Sequence, residues 1–300
     1  MISFGSIKYQ KKYAPYVFTA PFILIFLVFK LYPLIKSMVL AFFITSGPKS
    51  SVFVGWENFW FLLTDPRFGK AVANTAFFAA CSIFLQLPLS LGLALLLNSK
   101  RLFGRNFFRL SFVAPRLVGM VFVALLFTQV FAPRYGVLNI LLNFLFGVSV
   151  ETAWLKNPEL VMPAVVITGL WLYVGFNMIY FLAALQTVDQ NLYEAAKVDG
   201  ANRWQQFLHV TLPGIKPVAV FVVVLSTIGS FQLFELPFLM LENTPGPDDS
   251  GLTVVMYLYQ NGFKTGDLGY ASTIGWSLAA AVFLLSLVQM RLGGTWKKEQ

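Results

Sequence analysis

Apolar residues fill every helical direction over six long stretches of the chain, roughly 14–36, 71–98, 108–132, 162–186, 214–241 and 271–291. About 20 such residues cross the hydrocarbon core of a bilayer as a helix, so the pattern predicts six spans. Polar punctuation separates them: Gly47-Pro48-Lys49, Asp65-Pro66-Arg67, Asn98-Ser99-Lys100-Arg101, Asn157-Pro158-Glu159 and Pro245-Gly246-Pro247-Asp248-Asp249. The first stretch is longer than a signal-peptide core, and no small-x-small site closes it. A seventh apolar stretch, 137–146, reaches only about 15 Å as a helix and is expected to lie in the outer interface. Between the fourth and fifth of these stretches, residues 188–213 form a polar island.

Composition sharpens this picture. The chain is 57% hydrophobic and 12% charged, about half the charge of an average soluble domain, with mean hydropathy +0.71. Its net charge of +9 is mostly a matter of topology. Thirteen Lys and Arg fall in the termini and in loops 99–109 and 188–217, seven fall in the opposite loops, and Lys30 and Arg116 fall within spans. That bias places both termini and the 188–213 island in the cytoplasm and argues against a nucleic-acid partner. Tyr13, Tyr16, Trp56, Trp60, Tyr135, Trp154, Tyr270 and Trp296 are expected as interfacial anchors. One Cys and one His exclude a disulfide framework and a Cys/His metal site. No loop has room for an ATPase or binding domain, and no Gly-x-x-x-x-Gly-Lys-Ser/Thr phosphate loop occurs. The chain is therefore expected to bind no cofactor and to catalyse no bond chemistry.

Within the island, Asp189 is positioned to cap a helix starting near Gln190, and Gly200 to end it in a left-handed conformation. A second short helix over 202–211, with Trp204, Phe207 and Leu208 on its apolar face, is expected to stop at Pro213. Ala195 and Ala196 would let a partner backbone approach, and Glu194 would reach a basic group on it. An amphipathic turn resting on the lipid surface fits these residues equally well.

A resemblance decides between them. Tyr193-Glu194-Ala195-Ala196, Asp199-Gly200 and Leu212-Pro213 resemble the EAA loop of the permease subunits of ABC importers. The tyrosine before Glu194, with Trp204 and Phe207 after it, is similar to the carbohydrate-uptake branch. Further matches are Ala20-Pro21, Leu31-Tyr32-Pro33, Val54-Gly55, Asn58-Phe59, Asp65-Pro66-Arg67-Phe68, Asn74-Thr75, Gly136-Val137-Leu138-Asn139, Trp154-Leu155 and Pro245-Gly246-Pro247. They resemble the first permease of maltose or glycerol-phosphate type systems. The resemblance implies an all-α integral membrane protein of six transmembrane helices with the type I importer fold. Residues 1–70 would hold the tail, first helix and outer loop, 71–292 the permease core, and 293–300 a cytoplasmic tail. It also implies a second permease, two ATP-binding cassette subunits carrying ATP and magnesium, and an extracytoplasmic sugar-binding protein in a bacterial inner membrane. Tyr193, Glu194, Ala195, Ala196, Asp199 and Gly200 would form the coupling surface.

A sugar path needs aromatic faces for C–H groups and amides or hydroxyls for sugar hydroxyls, near the bilayer midplane. The fourth span offers Trp171, Tyr173, Phe176, Asn177 and Tyr180, of which Trp171 and Tyr173 do not share one stripe with Phe176 and Asn177. The fifth offers Ser226, Gly229, Ser230 and Leu233, a spacing that equally suits close helix packing, followed by Gln232 and Glu235 on adjacent turns. The resemblance to the maltose permease puts Tyr173, Phe176, Ser226, Gly229, Ser230 and Leu233 at or beside contact positions. Gly229 and Leu233 depart from the polar or aromatic groups found there. Arg116 would either snorkel to the cytoplasm or face the bundle interior. An ion-coupled secondary transporter using Glu235, or a permease for a non-sugar solute such as a glycerol phosphodiester, are the alternatives.

Overall fold

The computed structural model describes residues 7–47, 50–99, 102–147 and 151–294, with side chains from Tyr13 onward. Expectations resting on Pro48, Lys49, Lys100, Arg101, Trp296, Lys297, Lys298 and the side chains of Lys8, Lys11 and Lys12 lie outside the described residues. The chain divides into two compact units, residues 1–62 with 258–276, and residues 63–257 with 277–300.

The first unit holds α1 (Tyr13–Leu40), long and apolar enough to span a membrane. A two-stranded antiparallel hairpin follows, β1 (Phe43–Thr45) with β2 (Ser51–Phe53), Phe43 opposite Phe53. Three residues per strand are too few for a sequence pattern, and the hairpin was not foreseen. Buried Asn58, on α2 (Glu57–Thr64), donates to the carbonyls of Ala41 and Phe43 at 3.0 and 2.9 Å. Asp267 accepts from the backbone N–H groups of Thr45 and Tyr270. Tyr270 is buried against Phe61, ring centroids 5.3 Å apart, so it is a packing residue and not an interfacial anchor. Tyr16, Trp56 and Trp60 are exposed, as anchors require.

The second unit holds α3 (Pro66–Asn98), α4 (Arg105–Leu117), α5 (Met120–Val130), α6 (Val137–Phe146), α7 (Pro158–Thr187), α8 (Gln190–Val198), α9 (Arg203–Phe231) and α10 (Glu235–Met240). Helix α11 (Val254–Tyr259) and the last helix, α12 (Leu268–Leu292), run across both units. By length and composition five helices can each cross a bilayer, or six where α4 and α5 are taken together as one broken span. The six stretches read from hydropathy are thus present, with two internal corrections. The third, 108–132, bends by 99° between α4 and α5. Pro115 withdraws one N–H from the last turn, and Val118 and Gly119 are extended (ψ 136° and 139°). The fifth, 214–241, ends at Phe231 and restarts as α10 after Phe234, whose φ and ψ are −144° and −60°.

Three prolines inside the long helices are accommodated by a common device. Wide turns with i→i+5 bonding cover Leu27–Leu31, Ser82–Gln86 and Phe207–Thr211, each ending two residues before a proline: Pro33, Pro88 and Pro213. The last bond of each wide turn, for instance Leu212 N–H to the Phe207 carbonyl, steps past the carbonyls that the proline ring would strike. Pro213 therefore does not stop the second short helix. That helix continues unbroken into α9.

Lipid gives helices little hydrophobic reason to associate, so close contacts depend on small residues. Gly175 of α7 meets the backbone of Phe112 on α4, and Gly169 meets the ring of Phe78 on α3. Around these contacts lie two buried apolar clusters. One joins Phe78, Phe127, Phe131, Val165, Leu172 and Leu236. The other joins Leu87, Leu97, Met178, Phe181, Leu185 and Ile215.

Helix α6 is short and mostly exposed, as an interfacial helix is, but Asn139 on it is buried. Its amide donates to the carbonyls of Ala132, Pro133 and Thr152, and its oxygen accepts from Trp154 Nε1 at 2.8 Å. Trp154 also packs on Phe131 and is a buttress, not an anchor. In Asn139→Leu four partners lose their bonds, each at up to about 1–3 kcal/mol where it is shielded from water. Allowing for repair by water at some, about 3 kcal/mol corresponds to a fall of roughly 6–12 °C in melting temperature, with Trp154→Phe falling less. Thermal unfolding of the detergent-purified variants checks this; equal melting temperatures would show that the network is not structural glue.

Candidate functional site

Two regions stand out, a knob on residues 188–213 and a cavity enclosed by the second unit. In the knob, Asp189 caps α8 by accepting from Asn191 N–H at 2.9 Å. Gly200 (φ 79°) closes it, with Ala201 N–H bonding the Ala196 carbonyl and Gly200 N–H the Lys197 carbonyl. Asn202 and Gln205 then exchange reciprocal bonds of 2.8 and 2.9 Å that start α9. The Tyr193 hydroxyl meets Thr211 Oγ1 at 3.0 Å, tying α8 to α9. Leu192, Glu194, Ala195, Lys197 and Val198 face outward, while Tyr193 and Ala196 are half-buried. Ala196 lines a small cleft with Asp199, Gly200, Gln205 and His209. Ala195 alone of the two alanines is free to receive another backbone. Leu192 and Val198 remain 53% and 88% exposed, unusual for apolar side chains on a polar segment.

The cavity has a volume of about 560 Å³ and is lined by α3, α4, α5, α7, α9, α10 and α11. One wall is aromatic, with Tyr173, Phe176 and Tyr180 on α7; Phe176 and Tyr180 pack edge to face at 5.6 Å. Polar groups converge on it: Ser82 and Gln86 from α3, Arg116 from α4, Asn177 from α7, Ser226 from α9, then Gln232 and Glu235 at the helix break. Ser82 and Ser226 hydroxyls bond each other at 2.7 Å. Gly229 opens onto free space: a Cβ there would meet no atom within 4 Å. The break is held from behind by Thr253, whose hydroxyl donates to the Leu233 carbonyl at 2.6 Å. The cavity therefore combines an apolar face, a ring of amides and hydroxyls, and a discontinuous helix, the elements of a midplane solute site.

Residues 86–294 match the family described as the binding-protein-dependent transport system inner membrane component. The chain belongs to that family. It is 39% identical over 292 residues to the arabinooligosaccharides transport system permease protein AraP of Bacillus subtilis, covering 97% of this chain and 92% of that one. It is 34% identical to the lactose transport system permease protein LacF of Rhizobium radiobacter, covering 91% and 92%. A solved bacterial ABC transporter that imports the acidic polysaccharide alginate superimposes with a TM-score of 0.82 at 25% identity, covering 97% of this chain and 99% of that chain. The permease has the type I importer fold expected from its EAA resemblance.

Within this permease, Tyr173, Phe176, Asn177, Ser226, Gly229, Ser230, Gln232, Leu233 and Glu235 all border the cavity. Their contributions differ. Ser230 and Leu233 are only 4% and 6% exposed and belong largely to the packing, so the small-residue stripe is split between the two roles weighed for it. Gln232 and Glu235 do not sit on adjacent turns of one helix; the break at Phe234 separates them. Trp171 is not among the lining residues and packs on Phe127 at 5.3 Å. Arg116 faces the bundle interior, its guanidinium 5.2 Å from the Tyr173 ring centre. Tyr180, offered with the fourth-span aromatics, also borders the cavity, whereas Ser82 and Gln86 were not singled out as site residues. The available signal for Gln86 was its amide inside the run Phe84-Leu85-Gln86-Leu87.

Proposed function

We propose that this permease carries an oligosaccharide inward through the cavity, driven by partner ATPases that grip the knob. Both termini and the knob would be cytoplasmic, ATP and magnesium would stay with the partner subunits, and a second permease and a sugar-binding protein would complete the importer. The observation that carries this reading is the continuity of α9. Its 29 residues run from Arg203, in the knob, to Phe231, one residue before the cavity-lining Gln232. At 1.5 Å per residue this is a stiff rod about 43 Å long. Because Tyr193 is bonded to Thr211, a push on α8 is delivered to the rod, and Ser226, Gly229 and Gln232 move with it. Closure of the ATPases would thus reshape the cavity directly. Tyr173, Phe176 and Tyr180 would stack on C–H faces of sugar rings, while Asn177, Gln86 and Gln232 would exchange water's hydrogen bonds to sugar hydroxyls for their own. The sugar relatives, handling arabinooligosaccharides and lactose, support a carbohydrate cargo.

Gly229 gives the direct test. A Cβ there meets no atom within 4 Å and points a larger side chain into open space, so Gly229→Phe should fold normally and fill part of the cavity. In the complete importer reconstituted in vesicles, uptake of arabino-oligosaccharides, lactose or alginate oligosaccharides is expected to fall at least tenfold while the complex assembles. Undiminished uptake would place the cargo elsewhere.

A further inference from the structure

Arg116, near the end of α4, is a cation paired with no anion among the described residues. The described residues form ion pairs at Arg67–Asp249 and Arg134–Glu151, and Arg116 takes part in neither. Its recorded contacts are the faces of Tyr173 and Phe176, at 5.2 and 6.0 Å. An arginine at membrane depth is costly. Ring faces offset part of that cost and offer no acceptor for its five N–H donors. Arg116 is exposed, and its guanidinium lies open to the cavity. A planar fork of donors matches a carboxylate two bonds at a time, and a sugar hydroxyl only one.

Resting on the sugar-importer reading, we propose that Arg116 is a specificity-determining residue that binds a carboxylate on the cargo, so that the preferred substrate is an oligosaccharide bearing a uronic acid. Glu235 is the one lining acid among the described residues. It orients such a cargo: the uronate end lies against Arg116, Tyr173 and Phe176, and neutral hydroxyls lie against Glu235.

Cellobiouronic acid and cellobiose differ by one carboxylate and serve as probes. Each is titrated onto the assembled importer in nanodiscs by saturation-transfer NMR. The wild type is expected to bind the acidic disaccharide at least tenfold more tightly. Arg116→Gln is expected to bring the acidic sugar down to the neutral one, and Arg116→Lys, which keeps the charge but loses the fork, to retain part of the preference. Equal binding of both sugars by the wild type overturns the proposal while leaving a sugar cargo intact. A preference that survives in assembled Arg116→Gln overturns it too. Binding of neither sugar by the wild type overturns the proposal too, and the uptake assay on Gly229→Phe then decides the sugar reading by itself.

Discussion

Gly175→Val is expected to leave no monodisperse permease after extraction from the membrane, and Gly175→Ala to lower its melting temperature. A Cβ at position 175 would lie 1.8 Å from the carbonyl oxygen of Phe112 and 2.3 Å from its carbonyl carbon. Those atoms are backbone and cannot rotate away. Relief requires α4 and α7 to separate along their contact, which opens the packing on both sides. Overpacking costs about 1–3 kcal/mol for small additions, and a branched side chain against backbone exceeds that. The damage reaches the cavity as well, because α4 carries Arg116 while Tyr173 and Phe176 flank Gly175 in sequence. Gly92→Ala on α3 is the matched control. Its Cβ meets nothing within 4 Å, so a helix-favouring residue there should be neutral or stabilising. Size-exclusion profiles and thermal unfolding in one detergent separate the two sites. Equal behaviour of Gly92→Ala and Gly175→Ala would show that the α4–α7 crossing is not held by this contact.

What the sequence disclosed follows from what hydropathy can register. Span existence depends on length and apolar content, and all six stretches carry that signal plainly. The interruptions do not. Val118 and Gly119 are as apolar as their neighbours, so a 99° bend leaves hydropathy unchanged. Gln232, Leu233 and Phe234 likewise look like one more helical turn, although α9 has already ended. Pro213 misled in the opposite direction, because a wide turn five residues long can carry a helix past a proline. At the cavity, Tyr173, Phe176 and Asn177 were legible because sugar chemistry names their types, and Gly229 because it falls on the small-residue stripe of the fifth span. Trp171 was equally suitable in type, but two residues from Tyr173 on a helix turn it about 200° away. Gln86 and Arg116 depended on the rotation of separate helices about their axes, which no local pattern encodes.

At the proposed coupling surface, Glu194→Lys should reduce uptake by the complete importer at least a hundredfold. The substitution replaces an exposed carboxylate with an ammonium on a helix whose shape is fixed by its own caps. Asp189, Gly200 and the Tyr193–Thr211 bond do not involve the Glu194 side chain, so the knob should keep its form. A partner group matched to the carboxylate would instead face a like charge. Truncating one member of a desolvated pair costs about 2–5 kcal/mol, and at about 1.4 kcal/mol per tenfold this spans the predicted loss. Ala195→Trp should act as strongly through bulk alone, since Ala195 faces outward between Leu192 and Val198. Tyr193→Phe tests the other half of the lever: it leaves the outward face intact but frees α8 from α9, so ATPase subunits should still bind while transport per ATP falls. Co-purification of ATPase, ATP hydrolysis and uptake, measured on the same reconstituted samples, distinguish these losses. Full uptake in Glu194→Lys would end the case for the knob as the point of contact, and failure of that variant to insert would mean that Glu194 serves the fold instead.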